Sequence, residues 1–420
     1  MTSHIAYLDN NATTIMPTNI IAEMNKWVNK GNPSASYESA IKCQQMMSEF
    51  RSFIARSIGC PVRKYAIYFT SGATEANCMI VGGVIERIRR SASGPFHVAV
   101  SAIEHKSIML MLQDLVLAIP DMSITYVQPT IGGHIRPQDM AAAIRSTTKL
   151  VICMHANNEI GAINDIATIA QQVRQINANI FFFSDMVQSF GKIPINLFAW
   201  GIDGASMSFH KLHGPPGVGA AIIRQSQLEH FPPRLYGTQN DGMRGGTENT
   251  IGIAASFAAS KMVFESREST EKHELSLKKH LLEQLFKRAP LSAFDMYMGS
   301  QVKLELQMVA IGEHANLLDP KKYLPGTLMI SAVKHIGPSA CNKLIKDKLE
   351  AKRIIVSVGS ACNTKSNNHS HVLRAMNIPD VVMDGAIRVS MCAFTTVEEI
   401  DRFVDVFVFE VNRQYQTAKK

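Results

Sequence analysis

No stretch of this chain is apolar for anything near the length of a membrane span, so the sequence does not describe a helical membrane protein. It has no compact lysine/arginine block and no RNA-binding signature, which argues against nucleic acid as a partner. Its seven cysteines, at 43, 60, 78, 153, 341, 362 and 392, are odd in number and contain no C-x-x-C pair. That pattern excludes a disulfide framework and a zinc site, and it fits a reducing compartment. The first motif begins at Tyr7, which leaves no room for a signal or transit peptide, so a cytoplasmic protein is expected. Charged residues make up 19% and hydrophobic residues 46%, the balance of an ordinary soluble globular chain. The net charge of +8 is moderate. It suits plain solubility, and equally an anionic ligand or an acidic protein partner.

A chain of 420 residues exceeds a single core. The expectation is a large domain over 16–255 and a smaller one over 256–420, with residues 1–15 packing near the second. In the first, strand-like segments at 66–70, 96–100, 123–127, 149–154, 180–184 and 205–209 exchange with helical patterns such as 71–90, 137–146 and 165–177. Further helices are expected at 18–29 and 46–58. This tempo predicts a mainly parallel sheet covered by helices on both faces. A long helical region then runs from about 251 to 289. Beyond it, 300–322 has no clear period and reads as an added loop. Strands at 328–331, 354–358 and 386–391 and helices at 339–351 and after 394 complete a smaller α+β unit.

The stretch that organises the chain is 180–224. Asp185 closes one apolar strand, and His210 and Lys211 close the next. In an open parallel sheet, ligands sit at the carboxyl ends of strands, so both groups would face one crevice. A carboxylate and an amine brought to one pocket is what pyridoxal 5'-phosphate (PLP) requires: the acid keeps the pyridine nitrogen protonated and the lysine forms the Schiff base. The glycines of GPPGVG after Lys211 allow a tight turn against such a cofactor. Taken alone, the stretch fits a surface lysine in a Gly/Pro loop equally well.

Other segments add candidates in the same two-sided way. SGATEAN at 71–77 opens a helix whose N-terminus offers free amides to a phosphate, although Ser71 and Thr74 also fit as ordinary caps. His105 and Asn158 each fall just past a strand end. A lone histidine there is commonly a cap, and its case rests on where it falls relative to Asp185 and Lys211. The loop 236–250 is rich in glycine and polar residues. Cys362 lies in GSACNTKSNNHSH, a run of small polar residues that predicts an exposed thiol. An incidental surface cysteine fits that run as well.

Together the segments resemble the cysteine desulfurases of the class V aminotransferase group. The resemblance runs from YLDNNATT at residue 7 to FTTVEEID near 400, through SGATEAN, EHKSI, NNEIGAI, SDMVQSFGK, SFHKLHGPPGVGA, RGGTEN and VSVGSACN, in the family's order. It implies the aminotransferase-like fold of PLP-dependent transferases. Lys211 then matches the Schiff-base lysine and Asp185 the partner of the pyridine nitrogen. Gln188 matches the residue that bonds the phenolic oxygen, and His105 the histidine stacked on the ring. Ala73, Thr74, Ser208 and His210 fall on phosphate positions, and Thr247 on the one supplied by the neighbouring subunit of a homodimer. Asn158 and Arg388 match residues that position the substrate, the arginine by its carboxylate. Cys362 matches the sulfur-accepting nucleophile, in the subgroup where it rides a long mobile loop.

The implied reaction takes L-cysteine to L-alanine and leaves a persulfide on the enzyme. The implied partner is a sulfur acceptor such as an iron–sulfur scaffold protein. Selenocysteine lyase or another class V activity is the alternative on this scaffold, and an inactive binding paralogue is the least favoured. Two single-residue departures stand out, Tyr37 where the family usually has histidine and Ala393 where a frequent arginine is missing, and 300–322 looks longer than the family's connection.

Overall fold

The computed structural model describes residues 5–61, 63–91, 94–289, 291–300, 306–334, 341–358 and 369–417. Successive residues of Phe181–Phe182–Phe183 point to opposite faces of a sheet, and both faces are buried. Phe181 and Phe183 join Val98, Val100, Leu150 and Ile152 in one core, whereas Phe182 joins Ala99, Val151 and Met207 in another. A strand covered on both sides has no reason to alternate with polar residues, which is why these segments read as continuous apolar runs.

In chain order the strands are β1 (Ala6–Tyr7), β2 (Tyr65–Thr70), β3 (Phe96–Ser101), β4 (Met122–Val127), β5 (Thr148–Ile152), β6 (Phe181–Asp185), β7 (Gly204–Ser208) and β8 (Gly219–Arg224). A second group follows: β9 (Leu291–Ala293), β10 (Leu306–Ala310), β11 (Thr327–Lys334), β12 (Ile354–Ile355) and β13 (Ala386–Ser390). Seven of them form one sheet in the order β2-β8-β7-β6-β5-β3-β4. Its strands are parallel except β8, which runs against both neighbours. The reason is the connection 209–218, which falls short of the roughly dozen residues a parallel crossover needs. Because β8 is reversed on both sides, β2 points the same way as β3, β5, β6 and β7. Their carboxyl ends share one edge of the sheet.

The smaller sheet has the order β13-β11-β10-β9. The helix Thr250–Arg288, 39 residues long, belongs to both cores. Ile253 and Ala254 enter the core of the large sheet, and Leu277, Leu281 and Leu285 enter that of the small one, at i, i+4 spacing. β1 pairs with β12, and Asp9 bridges Ser390 on β13. The polar turn after β1 therefore lies where the two sheets meet.

The reading of 300–322 as an added loop needs correction. Leu306–Ala310 is an inner strand of the small sheet, buried at nearly every position, so no polar alternation marks it in the sequence. The residues after it brace the large sheet. Ile163 donates to the Lys322 carbonyl and Leu324 to that of Gly161, both at 2.8 Å, and the Tyr323 hydroxyl donates to Gly132 at 2.8 Å. Smaller differences concern helix ends. The helix expected at 46–58 begins at Glu38, and those expected at 18–29 and 137–146 stop at Asn25 and Ala142. No helix among the described residues is long and apolar enough to cross a membrane.

Candidate active site

The shared edge of the large sheet opens into a cavity of about 380 Å3. Ala73, Thr74, His105, Asn158, Asp185, Gln188, Ser208, His210 and Lys211 line it, so nine of the twelve residues singled out from the sequence meet there. The other three do not. Thr247 is exposed in the loop before the long helix. Arg388 on β13 lies behind the wall, donating to the Asn158 carbonyl at 2.9 Å and to Asp9 Oδ1 at 2.5 Å. Cys362 falls outside the described residues.

Asp185 ends β6 and is almost fully buried. Its Oδ1 accepts from the amide of Val187 at 3.0 Å and its Oδ2 from Asn77 Nδ2 at 3.2 Å. Asn77, buried in the first turns of the helix Ala73–Arg90, also donates to Ser107 Oγ at 2.9 Å. Ser107 in turn bonds His105, the N-cap of the helix Lys106–Ala118. The amide N–H of Ser107 donates to His105 Nδ1 at 3.1 Å, so the neutral ring carries its proton on Nε2. Asn77 and Ser107 thus connect two of the expected residues. Neither stood out in the sequence, where both read as ordinary helix-start residues.

Lys211 sits in a 3-10 turn just past β7. Its Nζ donates to the carbonyls of Asn11 at 2.7 Å and Ala12 at 2.5 Å, in the turn after β1. Burial pushes its pKa down to about 7, helped by the nearby cations of Lys192 and Arg388. His105 is also held below its usual pKa, by burial first, and His210 falls to about 4 for the same reason with Lys211 adding to it. At neutral pH the cavity therefore holds neutral imidazoles and a lysine poised to lose its proton.

The donors suit PLP. The helix Ala73–Arg90 begins after Gly72 with no side-chain cap, so its first amides are free to meet a phosphate, alongside the hydroxyls of Thr74 and Ser208 and the ring of His210. Gly72 has φ +152°, and a Cβ on Gly219 would lie 2.6 Å from the Gly72 backbone. Only glycine at 219 lets that turn close onto the start of β8. The volume falls within the ~300–1,000 Å3 of small-ligand sites. The two departures lie elsewhere. The Tyr37 hydroxyl accepts the Asn32 amide at 2.7 Å and closes its own loop, while Ala393 lines a separate cavity with Lys192, Lys211, Glu274 and Cys392.

The chain matches the aminotransferase class-V family over residues 6–403. It is 31% identical over 403 residues to cysteine desulfurase IscS of Dictyoglomus turgidum, covering 95% of this chain and 93% of that one. Among solved structures, a NifS-like protein superposes with a TM-score of 0.80 at 28% identity, covering 98% of this chain and all of that one. SspA, solved in complex with cysteine, superposes with a TM-score of 0.72 at 26% identity over 93% of this chain and 99% of that one.

Proposed function

We propose, from the premise that the chain belongs to the aminotransferase class-V family, that it is a PLP-dependent cysteine desulfurase. The observation that supports this most is the meeting of Asp185, His105 and Lys211 around one cavity beside free helix amides. The assignment of roles follows the chemistry of the side chains. Asp185, held by Asn77 and the Val187 amide, would bind the protonated pyridine nitrogen. Gln188 would donate to the phenolic oxygen, His105 would cover the ring, and Ala73, Thr74, Ser208 and His210 would hold the phosphate. Lys211 would carry the cofactor. PLP supplies an electron sink for the pair released when the substrate's Cα–H bond breaks.

The Lys211 amine, with its pKa near 7, suits moving that proton from Cα. Asn158 and Arg388 would orient L-cysteine, with Arg388 exchanging Asp9 for the substrate carboxylate. The Cys362 thiolate would attack the substrate sulfur. A new S–S bond forms, the C–S bond breaks, and its electron pair returns to the substrate carbon side, where protonation yields L-alanine. The persulfide on Cys362 then passes to an acceptor protein. Further parts of the proposal are a homodimer in which Thr247 reaches the partner's phosphate site, a cytoplasmic location, and a division into a cofactor-binding domain of 16–255 and a smaller domain of 256–420. The separation of the seven-stranded sheet from the four-stranded one supports that division.

The test is to load the purified protein with PLP, add L-cysteine, and measure alanine together with protein-bound persulfide. Equal amounts of both in a single turnover are expected. Alanine formation absent from a PLP-loaded protein would overturn the reading.

A further inference from the structure

Lys192 is a cation beside the cavity that the proposed chemistry leaves unused. It stands one turn after Gln188 in the turns following β6. Lys192 Nζ lies 3.0 Å from Gln188 Oε1 and 3.5 Å from Asn11 Oδ1. On its other side, the Gln188 amide donates through Nε2 to the Asn11 carbonyl at 3.1 Å. That carbonyl also accepts from Lys211.

These neighbours leave the amide one arrangement. An ammonium offers only donors, and a backbone carbonyl only accepts. The Gln188 oxygen must therefore face Lys192 and its NH2 must face Asn11, which leaves one N–H over. Gln188 lines the cofactor cavity, while Lys192 lines a second cavity of about 250 Å3 that shares Lys211 as a wall. Burial lowers the pKa of Lys192 there, while the buried Glu274 that lines the same cavity favours its charged form; Cys392 and Arg388 are its other ionisable neighbours.

We propose that Lys192 is a positioning residue for the reaction proposed above: by occupying Oε1 of Gln188, it commits the amide's remaining N–H to the cavity, where the phenolic oxygen of PLP accepts it. The inference rests on that functional reading and deepens it. Without Lys192 the amide is oriented only by the Asn11 carbonyl, and the turned-over state sets a carbonyl oxygen against a phenolate. Asn11 alone does not prevent this, because in the turned-over state it loses only one neutral hydrogen bond.

The test compares wild type, Lys192→Met, Lys192→Arg, Gln188→Ala and the Lys192→Met/Gln188→Ala double variant. Two quantities are read at fixed pH: the dissociation constant for PLP and the absorbance maximum of the bound cofactor. Lys192→Met and Gln188→Ala should each weaken PLP binding about tenfold, the size of one hydrogen bond to a charged group, and shift the absorbance in the same direction. The double variant should be no worse than either single one, because both remove the same contact. Lys192→Arg, which also only donates, should restore most of the affinity and the spectrum. Wild-type binding in Lys192→Met, or losses that multiply in the double variant, would overturn the inference. Should Lys192→Met not fold, Lys192→Leu, which also removes the donor, takes its place with the same outcomes. A wild-type protein that takes up no PLP would overturn the functional reading instead, so the two failures are distinguishable.

Discussion

Asn77 Nδ2 lies 3.2 Å from Asp185 Oδ2 and 2.9 Å from Ser107 Oγ, so one buried amide ties the carboxylate ending β6 to the serine that holds His105. One end of this chain would meet the nitrogen of a bound pyridine ring and the other would cover its face. Replacing Asn77 should therefore disturb both at once. Asn77→Ala should cost about 1–3 kcal/mol of stability, the penalty for leaving buried partners unpaired. Asn77→Asp should harm PLP uptake more than Asn77→Ala despite its closer shape, because it sets a second carboxylate beside Asp185. Thermal unfolding and PLP titration of the two variants check this; equal uptake by both would count against it.

Lys211 should behave as a lysine near pH 7. In the protein without cofactor, the rate of PLP capture should rise with pH and level off just above about 7, where the amine has lost its proton. An unperturbed lysine would still be gaining reactivity near pH ~10. Lys211→Ala should leave no PLP adduct that borohydride can fix. A fixed adduct on another lysine, or a capture rate still climbing at pH 9, would remove Lys211 from its proposed role.

Glu104 offers a test in stability. It is fully buried, Ser101 and the Met154 amide both donate to its Oε1, and burial raises its pKa to about 8. Between the ordinary carboxyl value of 4.5 and about 8, the folded protein holds a proton that the unfolded chain has released. The stability it contributes is present below 4.5 and is lost as pH rises through that window. Glu104→Gln mimics the protonated acid, so it should flatten the fall in melting temperature between pH 5 and 8, a window of about three units. An unchanged slope would mean that Glu104 is already ionised when folded.

The nucleophile can be separated from the cofactor site. Cys362→Ser should still bind PLP and change its absorbance on adding L-cysteine, while persulfide and alanine collapse, since a hydroxyl is a far poorer nucleophile than a thiolate. Cys392 is the control that matters, because it lines the second cavity with Lys211 and burial raises its pKa, which disfavours a thiolate. Cys392→Ser should keep most of the turnover. Loss of persulfide in Cys392→Ser with retention in Cys362→Ser would move the nucleophile to β13's far end.

Much of this site could be read from the sequence because each expected residue falls just past a strand end. Strand ends are visible where an apolar run meets polar residues, as at Asp185 and at Ser208–Lys211. The residues that escaped notice act across the chain. Asn11 is one: it joins Gln188 and Lys211 on one side to Thr327 and Ser390 on the other, partners 177 and 200, then 316 and 379 positions away. Nothing in the local pattern of a polar turn announces such contacts. Leu306–Ala310 was missed for the opposite reason, because burial on both faces removed the polar alternation that marks a strand. Tyr323 draws no attention just past the segment 300–322, which shows no clear period, yet its hydroxyl ties this part of the chain to Gly132.

The helix shared by the two cores acts as a lever. At 1.5 Å per residue its 39 residues span about 58 Å, with each half an arm of about 29 Å. A bend of two degrees at its middle would carry the far end by about 1 Å, a displacement that can cost a catalytic site a hundredfold in rate. The stiffness of a segment remote from the chemistry thus contributes, beside the Tyr323–Gly132 and Arg388–Asn158 ties, to how accurately Arg388 on the small sheet meets groups on the large one. Glycine at the exposed Glu268 and Ser269 costs only about 1 kcal/mol each in helix propensity. Softening the arm there should therefore lower turnover more than PLP uptake, and equal losses in both would show that the arm transmits nothing.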